Sequence, residues 1–222
     1  MVVDLLHSLA LVPLTLLPIM NPLSAAPVFS MTVGNDTTAA RQLARQVAIN
    51  CWFVLVGSML VGTYVLSLFG ISLPIVRIGG GLLVAASGWR MLDRNDDDEV
   101  QAAVKRSQPS GWSHAEVMRR SFFPITFPLT TGPGAIAAAI AIGAGLPRQL
   151  ELYVSGAFVA VLGATVTVGV VYLVHRHSAT LMRRLGEVGT LVMTRLMAFI
   201  LLCIGIEIIW TGWAELNGIP PH

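Results

Sequence analysis

Charged side chains are scarce in this chain of 222 residues, where they make up 12% of the sequence, against about 25% in an average soluble domain. Hydrophobic residues make up 55%, and the mean hydropathy is +0.73. This composition excludes a soluble enzyme. It indicates a membrane protein if the apolar residues are gathered into runs of about 20, the length that crosses a bilayer.

Several further absences narrow the classes of function. The pattern Gly-x-x-x-x-Gly-Lys-Ser/Thr, which cradles nucleotide phosphates, does not occur. The sole lysine, Lys105, lies in a loop between apolar runs, which excludes a retinal Schiff base within the membrane. The net charge of +2 is too small to indicate nucleic acid binding. Cys51 and Cys203 sit inside apolar runs, where a thiol is usually a small buried hydrophobe, so we expect no disulfide.

Two polar stretches resemble fragments of metal sites. Residues 93–97 start like a calcium-binding loop, but Asp98 stands where the turn glycine belongs and Val104 where the last glutamate belongs. The His-Arg-His stretch at 175–177 is explained by interfacial charge, since no further ligands accompany it. We therefore predict neither a metal site nor a cofactor.

The apolar residues are gathered into long runs that predict six membrane spans. A turn signal at 70–74 (Gly-Ile-Ser-Leu-Pro) splits one run, so a third span begins there and ends near Arg90, and a last span covers about 188–213. Six spans of about 20 to 25 residues leave room only for short loops. The sequence therefore predicts an all-α membrane protein with a single polytopic domain over 1–222. The runs without Asp, Glu, Lys or Arg are 5–35, 46–76, 121–147 and 152–175.

Basic residues are distributed unevenly over the predicted loops. The first, third and fifth loops lie on one side of the membrane and hold eleven of the fourteen Lys and Arg residues, whereas the other side holds only Arg148. Positive residues remain cytoplasmic, so both termini are predicted to be extracytoplasmic. The eleven residues are Arg41, Arg45, Arg90, Arg94, Lys105, Arg106, Arg119, Arg120, Arg176, Arg183 and Arg184.

The two halves of the sequence begin with similar proline-rich segments. Residues 13–22 and 124–133 each place their first and last prolines nine positions apart, at an offset of 111, and Arg77 and Arg195 open similar apolar runs at an offset of 118. Two halves of three spans each must insert in opposite orientation. The sequence thus predicts a 3+3 inverted-topology repeat, the plan of many secondary transporters. The predicted units are repeat one at about 1–92, a cytoplasmic loop at about 93–117 and repeat two at about 118–222.

Prolines also predict that the first and fourth spans are broken near mid-membrane. A proline inside a helix removes a hydrogen bond and clashes with the carbonyl four residues back, so the three prolines of 13–22 are not expected within one continuous helix. Asn21-Pro22 and Gly132-Pro133 are each typical of an N-cap followed by proline at the first helical position. The restarted half-helices are predicted at about 22–33 and 133–145.

The starts of these half-helices form the predicted binding site. Free backbone N–H groups and the positive end of a helix dipole attract an anion such as a carboxylate, and unwound backbone at that depth is tolerated only where it is buried in protein or lines a cavity. Proline kinks satisfied by neighbouring helices are the alternative. No catalytic residue is predicted, and the predicted substrate-binding residues are Asn21, Pro22, Leu23, Ser24, Thr130, Thr131, Gly132, Pro133 and Gly134.

Three ionisable side chains other than histidine lie within the predicted spans and are candidates for gating or coupling. Arg77 and Arg195 are related by the repeat, and both could snorkel to the membrane surface. Glu207 follows Arg195 by twelve residues, about 18 Å along a helix, which excludes a direct pair. We predict either an Arg77–Glu207 ion pair or outer gate, or a protonated, hydrogen-bonded Glu207. Proton coupling through Glu207 is a further hypothesis.

The two proline segments carry a resemblance to a known family. Asn21-Pro22 followed by Ser24, Pro27 and Phe29, together with Phe-Pro-Leu-Thr-Thr-Gly-Pro-Gly at 127–134, resembles the signature of the MarC family, which includes the SnatA neutral amino-acid transporters. The resemblance covers the whole chain. It implies an integral protein of the inner (plasma) membrane and a carrier of glycine- or alanine-like solutes. The functional candidates it implies are Asn21, Pro22, Thr130, Thr131, Gly132, Pro133 and Gly134.

The leading hypothesis is a secondary transporter of small neutral amino acids that works by alternating access. Its partners would be a small zwitterionic solute, protons or Na⁺, and the lipid bilayer. An exporter of drugs or other small metabolites would need a large apolar cavity, and a non-transporting scaffold would pack its broken helices without a hydrated one. A membrane enzyme is disfavoured, since no span carries paired carboxylates, clustered histidines or a Ser-His-Asp set. Substrate, coupling ion, direction of transport and oligomeric state stay open.

Overall fold

The structure, a computed structural model, describes residues 2–34, 36–93, 117–118, 121–145 and 150–219. Within these ranges the chain is almost entirely helical and contains no strand. Nearly all of the predicted loop at about 93–117, including the calcium-like stretch after Asp93, lies outside the described residues.

Helices succeed one another along the described ranges, most of them linked by short turns. α5 is a wide, π-type segment in which Phe123 and Phe127 have extended backbone angles, and the peptide bond before Pro128 is cis. α8 is interrupted at Gly186, whose φ of 66° is readily adopted only by glycine. The helices are α1 (Val2–Met20), α2 (Pro22–Val33), α3 (Thr37–Leu68), α4 (Leu73–Asp93), α5 (Ser121–Thr130), α6 (Pro133–Ala144), α7 (Leu150–Arg176) and α8 (Ser178–Leu216).

Four stretches of helix are long and apolar enough to cross a membrane. Two bent pairs pass the same test when each pair is taken as one span: α1 from Val12 with α2, at an angle of 49°, and α5 with α6, at 70°. The described residues thus contain four candidate spans, or up to six if each bent pair is one span, in agreement with the predicted all-α membrane class. The four stretches are Thr37–Leu68, Leu73–Asp93, Gly156–Arg176 and Val188–Leu216.

The first proline-rich segment contains less irregular backbone than the sequence suggests. α1 runs through both Pro13 and Pro18, and Pro22 begins the next helix, so two of the three prolines share a helix although all three do not. Leu16 and Met20 beside them are fully buried, and this packing offsets the hydrogen bonds that the prolines remove. The chain leaves the helix only at Asn21, where the bend lies.

α4 and α8 pack against each other along their length through glycines. A methyl group on Gly81 would lie 2.8 Å from the carbonyl oxygen of Gly205, and one on Gly88 would lie 2.6 Å from the backbone nitrogen of Leu202. Small residues allow such close backbone approach between membrane helices. Residues later in α4 contact residues earlier in α8, so the two helices are antiparallel.

The remaining helices surround a core centred on α3 and α7. α6 packs against α4, where a methyl group on Gly134 would contact Val84, and α2 packs against α8 and α7. An indole hydrogen bond from Trp52 to Thr165, 3.0 Å long, ties α3 to α7. The largest fully buried apolar side chains are Phe29, Leu16, Met20, Leu43, Leu55, Met59 and Ile125.

Candidate functional site

The first bend is built around Asn21. Its backbone is left-handed, with φ 45° and ψ 59°, and its side-chain oxygen accepts a hydrogen bond of 3.4 Å from the backbone N–H of Ser24. Asparagine tolerates this conformation better than other residues with a Cβ, and Pro22 suits the first helical position. Asn21 is buried, and neither its Nδ2 nor the Oγ of Ser24 has a hydrogen-bond partner among the described residues.

The second bend has a different construction. Gly132, at the N-cap of α6, is extended and provides no side-chain cap. The buried hydroxyl of Thr131 donates to Cys51 Sγ over 3.1 Å, and its backbone N–H donates to the carbonyl of Thr126 over 2.7 Å. Thr130 is also buried, but within the described ranges its Oγ1 has no hydrogen-bond partner.

The nine predicted site residues therefore differ in what they offer. Polar atoms without partners lie on Asn21, Ser24 and Thr130, whereas the hydroxyl of Thr131 is occupied. Gly134 lacks a side chain, and this makes room for Val84 of α4, since a Cβ would lie 2.1 Å from Val84 Cγ2. The rest are apolar or lack a side chain: Pro22 is buried, Leu23 and Gly132 are half-buried, and Pro133 is exposed.

A cavity of about 1250 Å³ opens between α2, the start of α3, the end of α7 and the first half of α8. We call it the vestibule. It begins at Ser24, beside the first bend, and extends to the charged residues Asp36, Arg41, Arg176 and Arg183. None of the residues 130–134 lines it, so the structure connects the vestibule to the first bend and not to the second. Its hydroxyl-bearing residues are Ser24, Ser30, Thr37, Ser178, Thr180, Thr190 and Thr194.

The two predicted intramembrane arginines join α4 to α8. Arg77 forms an ion pair with Glu215, so the predicted Arg77–Glu207 pair is wrong. The reason is register: Glu215 lies two turns closer to the end of α8 than Glu207, and Pro74 to Ile78 of α4 pack beside Gly212. Arg195 donates to the backbone carbonyl oxygens of Met91 and Leu92 at the end of α4.

Glu207 is exposed on the surface of α8. Its backbone carbonyl accepts a hydrogen bond of 2.9 Å from the hydroxyl of Thr211. No described side chain forms an ion pair or hydrogen bond with its carboxyl group, so the hydrogen-bonded alternative also finds no partner within the ranges that the structure describes.

His175 is the residue whose environment the sequence analysis missed. Arg176 and His177 are exposed, as expected of interfacial charge, but His175 is fully buried and stacks on Phe29 of α2. The only signal in the sequence was the position of His175 in the apolar run 152–175 rather than beyond it. The described residues contain no group of three or more His, Cys, Asp or Glu side chains that could hold a metal ion.

These features define the class of protein to which the chain belongs. Apolar helices of spanning length, two bent pairs and a polar cavity that reaches one of the bends are those of a polytopic integral membrane protein.

The chain belongs to the MarC family. The model of that family, described as MarC family integral membrane protein, matches residues 6–217. Similar proteins include the inner membrane protein MarC of Escherichia coli strains K12, UTI89 and O1:K1, each 32% identical over 222 residues that cover 96% of this chain and 97% of the relative. No solved structure matches. The resemblance in the proline segments is thus confirmed, and the protein is an integral inner-membrane protein.

Proposed function

We propose that this protein is a secondary transporter of small neutral amino acids that works by alternating access. The substrate would be held between the start of α2, at Asn21 and Ser24, and the start of α6, at Thr130 and Gly132. The carboxylate would accept hydrogen bonds from the amide of Asn21 and from backbone N–H groups in the first turn of α6 that have no intrahelical acceptors. At the start of α2, Pro22 has no N–H and the N–H of Ser24 already donates to Asn21.

One observation carries this proposal. Buried polar groups in proteins are almost always hydrogen-bonded, yet both bends contain buried side-chain atoms without described partners, namely Asn21 Nδ2, Ser24 Oγ and Thr130 Oγ1. Proline kinks that neighbouring helices satisfy, the alternative explanation of the sequence, would not leave such atoms. A small polar ligand would supply the missing partners.

The vestibule supports a route from this site to one side of the membrane. By the distribution of basic residues, the side where Arg41, Arg176 and Arg183 lie would be cytoplasmic and both termini extracytoplasmic. In this interpretation the first bend would face the cytoplasm through Ser24, and the open vestibule would belong to an inward-open state.

The proposed inverted repeat accounts for the paired bends. Repeat one would contain α1 to α4 and repeat two α5 to α8, with each bent pair followed by two long helices. The antiparallel contact between α4 and α8 is what two oppositely inserted halves would produce in their last spans. α6 of the second half packs against α4 of the first, and α2 of the first half packs against α8 of the second. This reciprocal arrangement supports the proposal.

Export of drugs or other small metabolites is the second candidate. The volume of about 1250 Å³ favours it, because this volume exceeds the size of glycine or alanine several times over. The hydroxyl and charged groups in the lining favour a hydrophilic passage instead of an apolar drug pocket. A catalytic role is not proposed, and the coupling ion would be a proton or Na⁺.

Counterflow of labelled glycine and alanine in proteoliposomes tests the main proposal. We expect saturable exchange with the native protein and loss of exchange with Gly132→Leu, whose side chain would occupy the start of α6. Gly57→Leu is the matched control, because nothing lies within 4 Å of a Cβ at that position. Both variants are first checked for a single symmetric peak in size-exclusion chromatography. Exchange no higher than in empty liposomes would overturn amino-acid transport in favour of an exporter of other solutes or a scaffold.

A further inference from the structure

His175 lies in the last turn of α7, is fully buried, and has no hydrogen-bond partner at either ring nitrogen within the described residues. Its ring stacks on Phe29, with 4.7 Å between the ring centroids and 28° between the ring planes. A buried polar side chain without partners is rare in native proteins, and each case calls for an explanation. Packing alone would be served better by an apolar aromatic residue.

α2 connects this stack to the candidate site and to the vestibule. Phe29 follows Asn21 by eight residues, about 12 Å along a helix. Ser24, Val28 and Met31 of the same helix line the vestibule, whereas Phe29 is fully buried and turned towards α7. α2 therefore carries the stack on one face, the wall of the vestibule on another, and the first bend at its start.

The charged groups near this end of the bundle do not compensate for a charge on His175. α2 has no ionisable residue, and neither does the part of α1 whose side chains are described. The ionisable residues that line the vestibule, on or directly before α3, α7 and α8, are all exposed: Asp36, Arg41, Arg176, His177 and Arg183. A proton on the imidazole would thus create a buried cation that stacks on Phe29 and has no described hydrogen-bond acceptor, and its hydration would require α2 to move.

We propose that His175 is a positioning residue that couples proton uptake to the movement of α2, an inference that rests on the proposed transport function. The neutral imidazole holds α2 against α7 and keeps the vestibule open. When the imidazole takes up a proton from water on the vestibule side, the imidazolium separates from Phe29, and α2 moves away from α7 and narrows the vestibule. Release of the proton to water restores the stack, so no other reactant is consumed.

The reactivity of a cysteine in the vestibule tests this coupling without any substrate. Val28→Cys is introduced with Cys203→Ser, because Cys203 is exposed, and the purified protein is treated with a soluble maleimide at about pH 8 and about pH 4, an interval that covers the usual titration range of histidine with a margin on the acid side. Each labelling rate is divided by that of the same cysteine in a His175→Phe protein at the same pH, which cancels the ionisation of the thiol. We expect a ratio near one at the higher pH and a decrease of about fivefold or more at the lower.

His177→Gln is the matched control, because His177 is exposed in the adjacent turn and lines the vestibule. We expect it to keep the pH response that His175→Phe abolishes, and His175→Gln provides a second variant if the phenylalanine protein does not fold. An unchanged ratio at both pH values, or loss of the response in His177→Gln, would overturn the proposal. If counterflow is observed but the labelling ratio does not change with pH, only the coupling through His175 is overturned. If the labelling ratio changes with pH but no counterflow is observed, only amino-acid transport is overturned.

Discussion

The two bends differ both in backbone and in surroundings. At the first, Asn21 is left-handed and caps α2 with its side chain, and Ser24 opens to the vestibule. At the second, Gly132 is extended, Thr131 is bonded to Cys51, and no residue from 130 to 134 reaches the vestibule. If the bends are related by an inverted repeat, an alternating-access carrier would exchange these two environments during its cycle. The asymmetry between equivalent segments then describes one conformational state.

The largest effect is expected from the packing of the second bend. Gly134→Ala places a Cβ 2.1 Å from Val84 Cγ2, whereas Gly132→Ala leaves 3.1 Å to the carbonyl oxygen of Pro128. We expect Gly134→Ala to destabilise the protein by about 1–3 kcal/mol, the usual cost of overpacking, and Gly132→Ala to cost less. Melting temperatures from size-exclusion chromatography after heating measure the difference. Gly57→Ala, with open space around the Cβ, is the control. Equal melting temperatures for the 134 and 132 variants would show that α6 does not depend on α4 for its position.

Two substitutions of Asn21 distinguish the role of its left-handed backbone from the role of its side-chain amide. Asn21→Ala loses the cap and keeps a Cβ at a φ of 45°, so we expect a loss of about 1–2 kcal/mol in stability. Asn21→Gly keeps the left-handed backbone at a cost of only a few tenths of a kcal/mol, but lacks the amide. Its melting temperature should be close to that of the native protein, and its rate of labelled glycine exchange should fall about tenfold or more. Full exchange in Asn21→Gly would remove this amide from the proposed site.

Much of the local structure at the bends follows from the sequence. An N-cap followed by proline has a strong local preference, and the predicted half-helix starts at 22 and 133 coincide with those of α2 and α6. The continuity of α1 through Pro18 could not be predicted, because the cost of a proline is offset by packing partners distant in sequence. For the same reason the sequence did not identify the partner of Arg77, which depends on the register between α4 and α8.

Thr130 and Thr131 allow a smaller, paired test of the second bend. Thr131→Val removes the hydroxyl that donates to Cys51, so we expect a loss of about 1 kcal/mol in stability. Thr130→Val removes a buried hydroxyl with no described partner, so stability should stay constant or rise while the half-saturation concentration for glycine exchange increases. Melting temperature and exchange are measured on both variants. A fall in stability with Thr130→Val would indicate that its hydroxyl is satisfied within the protein, and the second half of the site would be lost.

The smallest effect is expected at the ion pair that joins α4 and α8, the helices against which α6 and α2 pack. The side chains of Arg77 and Glu215 are 27% and 43% exposed, and pairs of such exposure contribute about 0–1 kcal/mol. Glu215→Gln should therefore lower the melting temperature only slightly, and Glu207→Gln, which has no described partner, should leave it unchanged. The opposite order would mean that Arg77 pairs with Glu207 in the bilayer. Full pH-gradient-driven uptake by Glu207→Gln would exclude that carboxylate from proton coupling.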